Sequence, residues 1–260
     1  MANHYALITG ASQGFGKSMA LEFAKRNINL LLVALPNSKL WALSWFIKKN
    51  FQVRTLCLEL DLSLKDSCYI IDDFIRDNAL QIKYLVNNAG ILSRGFFEDM
   101  DDAFIERQIK VNVLAPTLLT KLLLDNLKKT SPSAILNVSS MAAFFSLQKK
   151  QVYGATKAYL LSFSKSLRKE LKKDNISVTT VCPGGLNTTT RLCYQNRILG
   201  LLPRKSSLNP EEAAVIAIDA MMKRKNVIIP GLINKFFMLL DKLLPEFVKD
   251  ILTKREIKKI

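Results

Sequence analysis

Between residues 4 and 181 the chain alternates short apolar runs with longer stretches of helical periodicity, and few folds accommodate that rhythm. Strands are predicted at 4–9, 28–34, 52–58, 82–86, 134–138 and 176–181. Helical patterns fall between them, through Met19, Ala20, Phe23 and Ala24, then near 38–49, 64–77, 101–128 and 152–172. The strands are apolar on both faces, as strands are when helices cover a sheet from both sides. The fold class is therefore α/β, a doubly wound parallel sheet in a three-layer α/β/α single domain. Right-handed crossovers carry the ends of the strands to one edge, where ligands bind in such sheets. Four of those ends break the apolar pattern: Gly10-Ala-Ser-Gln-Gly14-Phe-Gly16, Asn87-Asn88-Ala89-Gly90, Ser139-Ser140 and Cys182-Pro183-Gly184-Gly185. Residues 185–209 lack periodicity and contain Gly200 and Pro203, which reads as a loop or lid. Pro210-Glu-Glu opens a further helix with acids in its first turn. No internal repeat and no linker is evident.

Composition narrows the chemistry by what it lacks. The single histidine, His4, stands at the start of the chain, where fraying is expected, which argues against a zinc site or a histidine-based triad. Cys57, Cys68, Cys182 and Cys193 show no Cys-x-x-Cys spacing and read as free thiols, not as disulfides or metal ligands. The net charge of +16 is unusual, but the lysines are spread over most predicted helices. That favours a solvated basic surface over a nucleic-acid stripe. No run reaches the ~18–20 apolar residues a membrane span needs, and Met1-Ala-Asn-His leads directly into a strand without a signal-peptide pattern.

Two of the polar positions point to proton transfer. In Tyr153-Gly-Ala-Thr-Lys157 the phenol and the ammonium sit four residues apart on a predicted helix and share a face. A phenol titrates near pH ~10 in isolation, and a neighbouring cation draws it toward the working range. At the other end, a glycine turn between a strand and a helix lets the backbone approach a pyrophosphate, while the helix N-terminus supplies N–H donors.

Taken together, these residues resemble the short-chain dehydrogenase/reductase family in its single-domain Rossmann form, over at least residues 4–230, with 231–260 as a C-terminal extension. Four motifs match in order: Thr9-Gly10-x-x-x-Gly14-x-Gly16, Asn87-Asn88-Ala89-Gly90, Ser140 thirteen residues before Tyr153, and Pro183-Gly184 with Thr188 beyond. Asn112, within Lys110-Val-Asn-Val-Leu-Ala-Pro, matches the family's helix asparagine. The resemblance implies an NAD(P)(H)-dependent oxidoreductase interconverting a carbonyl and a secondary alcohol, with a lipophilic or acyl-type substrate. Tyr153 would be the general acid or base. Lys157 would lower the Tyr153 pKa and bond the nicotinamide ribose. Ser140 would hold the substrate oxygen, and Asn112 would keep a water in a relay to Lys157, its alternative being a helix-kink residue bonded to backbone. Ser139 is the rival to Ser140, but strand alternation sends neighbours to opposite faces and the spacing to Tyr153 selects Ser140.

For the cofactor, the resemblance implies that Gly10, Ser12, Gly14, Phe15 and Gly16 wrap the pyrophosphate. Asp61 and Leu62 would meet the adenine, Asn88, Ala89 and Gly90 would line the ribose side, and Pro183, Gly184 and Thr188 would adjoin the nicotinamide. Asp61 could instead cap the following helix, although Ser63 suits that role better. The acid that marks an NAD enzyme at the end of the second strand is replaced by Ala34. The basic markers for NADP are also missing, with Gln13 and Leu35 in their places, but Asn37, Ser38 and Lys39 could receive a phosphate. NADP(H) is weakly preferred over NAD(H).

Residues 231–260 are strongly apolar, then basic. A helix covering the substrate pocket or a subunit interface is preferred to one lying on an anionic membrane. A homodimer or homotetramer built on the helices near 101–128 and 152–172, a cytoplasmic location with peripheral membrane contact through 231–260 as the variant, and no nucleic-acid partner complete the expectations. The functional alternative is a catalytically silent dinucleotide-binding regulator or scaffold.

Overall fold

The structure is a computed structural model that describes residues 4–92, 95–188 and 207–243. Its elements run β1 (His4–Thr9), α1 (Gly14–Lys25), β2 (Asn29–Ala34), α2 (Leu40–Asn50), β3 (Thr55–Glu59), α3 (Ser67–Asp77), β4 (Gln81–Asn87), α4 (Asp102–Ile109), α5 (Ala115–Leu122), α6 (Leu124–Lys129), β5 (Ser133–Val138), α7 (Gln151–Glu170), β6 (Ile176–Val181), α8 (Pro210–Met222), β7 (Val227–Ile228) and α9 (Leu232–Leu243). The strands form one sheet in the order β3-β2-β1-β4-β5-β6-β7, with every neighbouring pair parallel. Strand order reverses between β1 and β4, so the loops after these two strands diverge and leave a crevice between them.

The period-two alternation of the strands fills two separate cores. From β1, Ala6 and Ile8 join Phe15, Met19, Phe23, Leu40, Ile47 and Ile218 under α1, α2 and α8. Tyr5 and Leu7 point the other way, to Ile71, Ile75, Leu119 and Leu127 under α3, α5 and α6. Each fully buried aliphatic or aromatic side chain contributes ~1.5–3 kcal/mol relative to exposure, so a one-residue register slip would exchange both cores at once.

The helix expected near 101–128 is broken into three. Asp101 caps α4 by accepting from the Phe104 N–H at 3.3 Å. A π-helical turn over Lys110–Leu114 then leads into α5, where Pro116 has no N–H to return to the carbonyl four residues back, that of Asn112. Leu123, at φ −88° and ψ 0°, separates α5 from α6. Two further differences concern the ends of the sheet. The short β7 was not anticipated; it pairs Val227 with Thr180 and Ile228 with Val181. His4 is part of β1, paired with Gln81. Of the loop or lid expected at 185–209, residues 189–206 lie outside the described residues, but its two ends meet in a bridge between Leu186 and Leu208. Cys57, Cys68 and Cys182 are free thiols, while Cys193 and the tail from 244 lie outside the described residues.

Candidate active site

The crevice at the strand-order reversal is walled by the glycine turn. Gly10 sits at φ +65° and Gly14 at φ +53°, in the left-handed region that costs glycine little. Gly16 is needed for space: a Cβ there would lie 2.1 Å from the Gly10 carbonyl oxygen and 2.5 Å from Asn88 Nδ2. α1 has no acidic residue in its own first turn and no side-chain cap from Gln13, which leaves its N-terminal donors without an anion from the helix itself. The resulting cleft, about 330 Å³, is lined by Gly10, Ser12, Gly14, Phe15 and Gly16 on one side and by Asp61, Leu62, Asn88, Ala89 and Gly90 on the other. Near Ala34, the cleft wall includes Ser38, whose Oγ is buried without a hydrogen-bond partner among the described residues. An orphaned hydroxyl at the β2 end and a cradle that a single Cβ would fill both fit an extended anionic dinucleotide.

Phe15, Asn88, Gly90 and Thr188 are shared with a second cavity of about 420 Å³, so the two spaces adjoin. This cavity contains Ser140, Tyr153, Lys157, Pro183 and Gly184. Lys157 Nζ donates to the Val138 carbonyl at 2.9 Å and lies 5.8 Å from the centroid of the Tyr153 ring. Burial lowers the Lys157 pKa from 10.5 to about 8, with the nearby Cys182 thiol opposing the drop. Burial also raises the Tyr153 phenol above its ordinary range, and a hydrogen bond with Ser140 offsets only part of that rise. The expected depression of the Tyr153 pKa by Lys157 is thus not what this geometry gives. Desolvation of the phenol dominates, and the ammonium is itself desolvated.

The two adjacent serines are separated by their partners. Ser139 donates from Oγ to the Lys157 carbonyl at 2.7 Å and is buried. Ser140, half-buried, accepts from the Ala142 N–H at 3.1 Å and keeps its hydroxyl beside Tyr153. Asn112 lines neither space. Its Oδ1 accepts from the Ile91 N–H at 2.8 Å, while Nδ2 donates to the Ile91 carbonyl at 3.0 Å and to Thr156 Oγ1 at 3.1 Å. The backbone-bonding alternative for Asn112 is therefore what the geometry displays, with the side chain clamping the loop after β4 to the π-helical turn. Asn88 behaves likewise: Nδ2 donates to the carbonyls of Thr9 at 2.8 Å and Gly10 at 3.2 Å, which leaves it as a staple between strand ends.

Asp61 borders the cleft without capping α3. Its Oδ1 accepts from the Ser63 N–H at 2.9 Å and Ser63 Oγ at 2.7 Å, and Oδ2 faces Arg107 at 3.4 Å. Burial alone would raise the Asp61 carboxyl, but the bonds from Ser63 and the charge of Arg107 outweigh it and hold the pKa below the usual carboxylate range. Arg107, on α4, also lines the cleft. Sequence reasoning missed it, since nothing local marks a lysine- or arginine-bearing helix as facing a site formed 46 residues earlier. Asn234 was missed too. A Cβ on Gly184 would come within 2.6 Å of its Oδ1, so the first turn of α9 backs the loop after β6. Of Asn37, Ser38 and Lys39, Ser38 lines the cleft.

Comparison with known proteins follows the same outline. Very-long-chain 3-oxoacyl-CoA reductase of Rattus norvegicus is 37% identical over 185 residues, covering 69% of this chain and 58% of the relative. Hydroxysteroid dehydrogenase-like protein 1 of Gallus gallus is 30% identical over 192 residues, 73% of this chain and 57% of that protein. The chain thus spans just under three fifths of the length of these curated relatives. Among solved structures, a short-chain dehydrogenase from Sphingobium yanoikuyae in complex with NADPH superposes with a TM-score of 0.78 at 31% identity, covering 88% of each chain. The short chain dehydrogenase family itself matches residues 4–196, a span that takes in the glycine turn, the tyrosine–lysine helix and the end of β6. On that match, and on a fold shared nearly end to end with solved members, the chain belongs to the short-chain dehydrogenase family.

Proposed function

We propose that the protein is an NADP(H)-dependent oxidoreductase that interconverts a carbonyl and a secondary alcohol on a lipophilic acyl-type substrate, such as a 3-oxoacyl thioester. The observation that carries the proposal is the meeting of Ser140, Tyr153 and Lys157 in one cavity that opens onto the glycine-lined cleft. A reduced nicotinamide dinucleotide, when bound, supplies a hydride to the carbonyl carbon. Gly10, Ser12, Gly14, Phe15 and Gly16 would hold its pyrophosphate, Asp61 and Leu62 would border the adenine, Asn88, Ala89 and Gly90 the ribose, and Pro183, Gly184 and Thr188 the nicotinamide. Ser140 donates a hydrogen bond to the carbonyl oxygen and steadies the charge that grows there. Tyr153 passes its phenolic proton to that oxygen, and the Lys157 ammonium stabilises the phenolate left behind.

Burial raises the Tyr153 pKa, so the phenol rests in its protonated form, the one that donates. Asn112 ties Ile91 to Thr156, the chain neighbours of Gly90 and Lys157, and a Cβ on Gly90 would meet Lys157 Nζ at 3.2 Å and Asn112 Oδ1 at 3.4 Å. NADP(H) is favoured over NAD(H) by the missing acid at Ala34 and the orphaned Ser38 hydroxyl beside it. The name of the 3-oxoacyl-CoA reductase relatives supports the acyl-type substrate, and the NADPH held by a solved neighbour supports the cofactor.

The cavity wall supports an apolar substrate: Met141, Ala142, Phe145, Leu147 and Leu186 surround the polar trio. α9 extends that wall, with Met238 packed against Met141, Leu161, Cys182 and Ile229. A homodimer or homotetramer is part of the same reading, through the outer faces of α5 and α7, where Tyr159, stacked on Phe163 at 5.9 Å, lies 3.1 Å from the Thr117 hydroxyl. Among the described residues no helix is long and apolar enough to cross a membrane. The test is NADPH oxidation with 3-oxoacyl thioesters of increasing chain length. Tyr153→Phe is expected to lower kcat by ~10²–10⁴-fold with NADPH affinity retained. A variant as fast as the parent would sink the proposal, as would a parent protein that binds NADPH but reduces neither thioester nor lipophilic ketone.

A further inference from the structure

We propose that the outer face of α2 is a docking surface for an anionic phospholipid membrane. The helix buries Leu40, Leu43, Ser44 and Ile47 against the sheet and turns its remaining large residues outward. Trp41 is 60% exposed and Trp45 63%, and Phe46 is also exposed. These are the only two tryptophans of the chain, one helical turn apart on the same face. Tryptophan is the side chain best suited to a membrane–water boundary, because its ring is apolar and its N–H stays wet. Nothing in the apolar core requires them at these positions, since α2 already closes its side of the sheet with four other side chains.

The charges around the pair select the partner. From Phe23 to Leu58 the chain contains no aspartate or glutamate, whereas the whole sequence has 22 in 260 residues. The same stretch holds Lys39, Lys48, Lys49 and Arg54, besides Lys25 and Arg26, which pair with Glu22 and Asp219. On the near flank, Glu22 is already ion-paired to Arg26 at 2.7 Å. Lys49 Nζ sits 5.0 Å over the Trp45 ring, so the aromatic patch and the cationic patch are one surface. An apolar aromatic centre ringed by lysines complements acyl chains below and phosphate headgroups above, with the lysine stems reaching upward to the headgroups. A single-stranded nucleic acid would call for aromatics along a basic groove, and α2 offers a convex helix face. A second copy of the chain would have to bring the same uncompensated cations against themselves.

The face lies beside β3, one edge of the sheet, while α9 follows β7 at the other edge. Docking through α2 is therefore distinct from the contact through 231–260 that the sequence suggested.

Because both tryptophans lie on α2, intrinsic tryptophan emission of the full chain reports this face alone. The protein would be titrated with phosphatidylcholine vesicles, with and without phosphatidylserine, and followed by emission and by co-sedimentation. Expected are a blue shift and quenching by bromine-labelled acyl chains with the anionic vesicles, and little change with the neutral ones. Trp41→Ser combined with Trp45→Ser is expected to weaken co-sedimentation about tenfold or more, and each of Lys48→Glu and Lys49→Glu roughly fivefold or more, with unchanged thermal melts and NADPH binding. Sedimentation without any change in emission would overturn the proposal, as would loss of binding in Leu232→Ser with Phe236→Ser but not in the tryptophan variant. A blue shift produced equally by a single-stranded oligonucleotide, or by raising protein concentration without vesicles, would also overturn it, in favour of nucleic acid or of self-association.

Discussion

Replacing Lys157 by methionine is expected to make the ligand-free protein more stable at neutral pH. Burial lowers the pKa of this ammonium from 10.5 to about 8. In the unfolded chain the side chain keeps its ordinary value, so between the two pKa values the unfolded state binds more protons. The penalty is therefore fully present below about pH 8 and is relieved as pH rises toward about pH 10.5. At ~1.4 kcal/mol per pH unit the charged form costs the folded state ~3 kcal/mol near neutrality. Methionine removes that cost but also the bond from Nζ to the Val138 carbonyl at 2.9 Å, which offsets ~1–2 kcal/mol of the gain. The variant should be ~1–2 kcal/mol more stable than the parent at about pH 7. From about pH 7 to about pH 9.5 the parent should gain ~2 kcal/mol that the variant does not. Urea denaturation of both ligand-free proteins at the two pH values isolates the lysine as a double difference, in which the other titrating groups largely cancel. Parallel changes in parent and variant would refute the reasoning, because the ammonium would then be solvated. So would a variant less stable at both pH values, which would mean that Lys157 holds the strand ends together more than burial penalises it.

Two other substitutions probe the dinucleotide cleft. Gly16→Ala places a methyl 2.1 Å from a backbone oxygen that cannot step aside; a stability loss of ~1–3 kcal/mol by thermal melting is expected together with loss of NADPH binding. Ser38→Ala is expected to weaken NADPH by ~10-fold and leave NADH unchanged in a nicotinamide-fluorescence titration, since among the described residues the hydroxyl has no other partner to lose.

How much of this was legible in the sequence depends on the reach of each interaction. The first six strands, the glycine turn and the tyrosine–lysine pair are encoded by residues within a turn or two of one another, and each lies close to where periodicity and spacing put it. The spacing to Tyr153 singled out Ser140 over Ser139, and the two serines have different partners. The break at Lys110–Leu114 was hidden because apolar periodicity runs through it; Pro116 was the visible warning. Arg107 and Asn234 came from segments whose own patterns say nothing about the crevice, and only the packing of α4 and α9 brings them there. The sign of the Tyr153 shift was misjudged for the same reason, since a neighbouring lysine is visible in a sequence and the depth of burial is not.

The residues that mark the site also reveal a division of labour that motif reading blurs. Where a strand ends at the catalytic edge, backbone groups lose their ladder partners and must find others. Thr9 Oγ1 accepts from the N–H groups of both Asn88 and Ala89 at 3.0 Å, and Asn88 returns its amide to the carbonyls of Thr9 and Gly10. Ser139 takes the Lys157 carbonyl, and Asn112 takes both backbone groups of Ile91. These side chains are spent on the frame, each a bond whose loss would leave a buried group unpaired at ~1–3 kcal/mol. Tyr153, Ser140, Lys157 and Thr188 are among the polar residues that line the ligand space. The amides of Asn88 and Asn112 thus hold β1, β4 and the π-helical turn together while the backbone at Asn88 borders the ligand space, and Gly16 can approach Gly10 as closely as it does because it carries no Cβ.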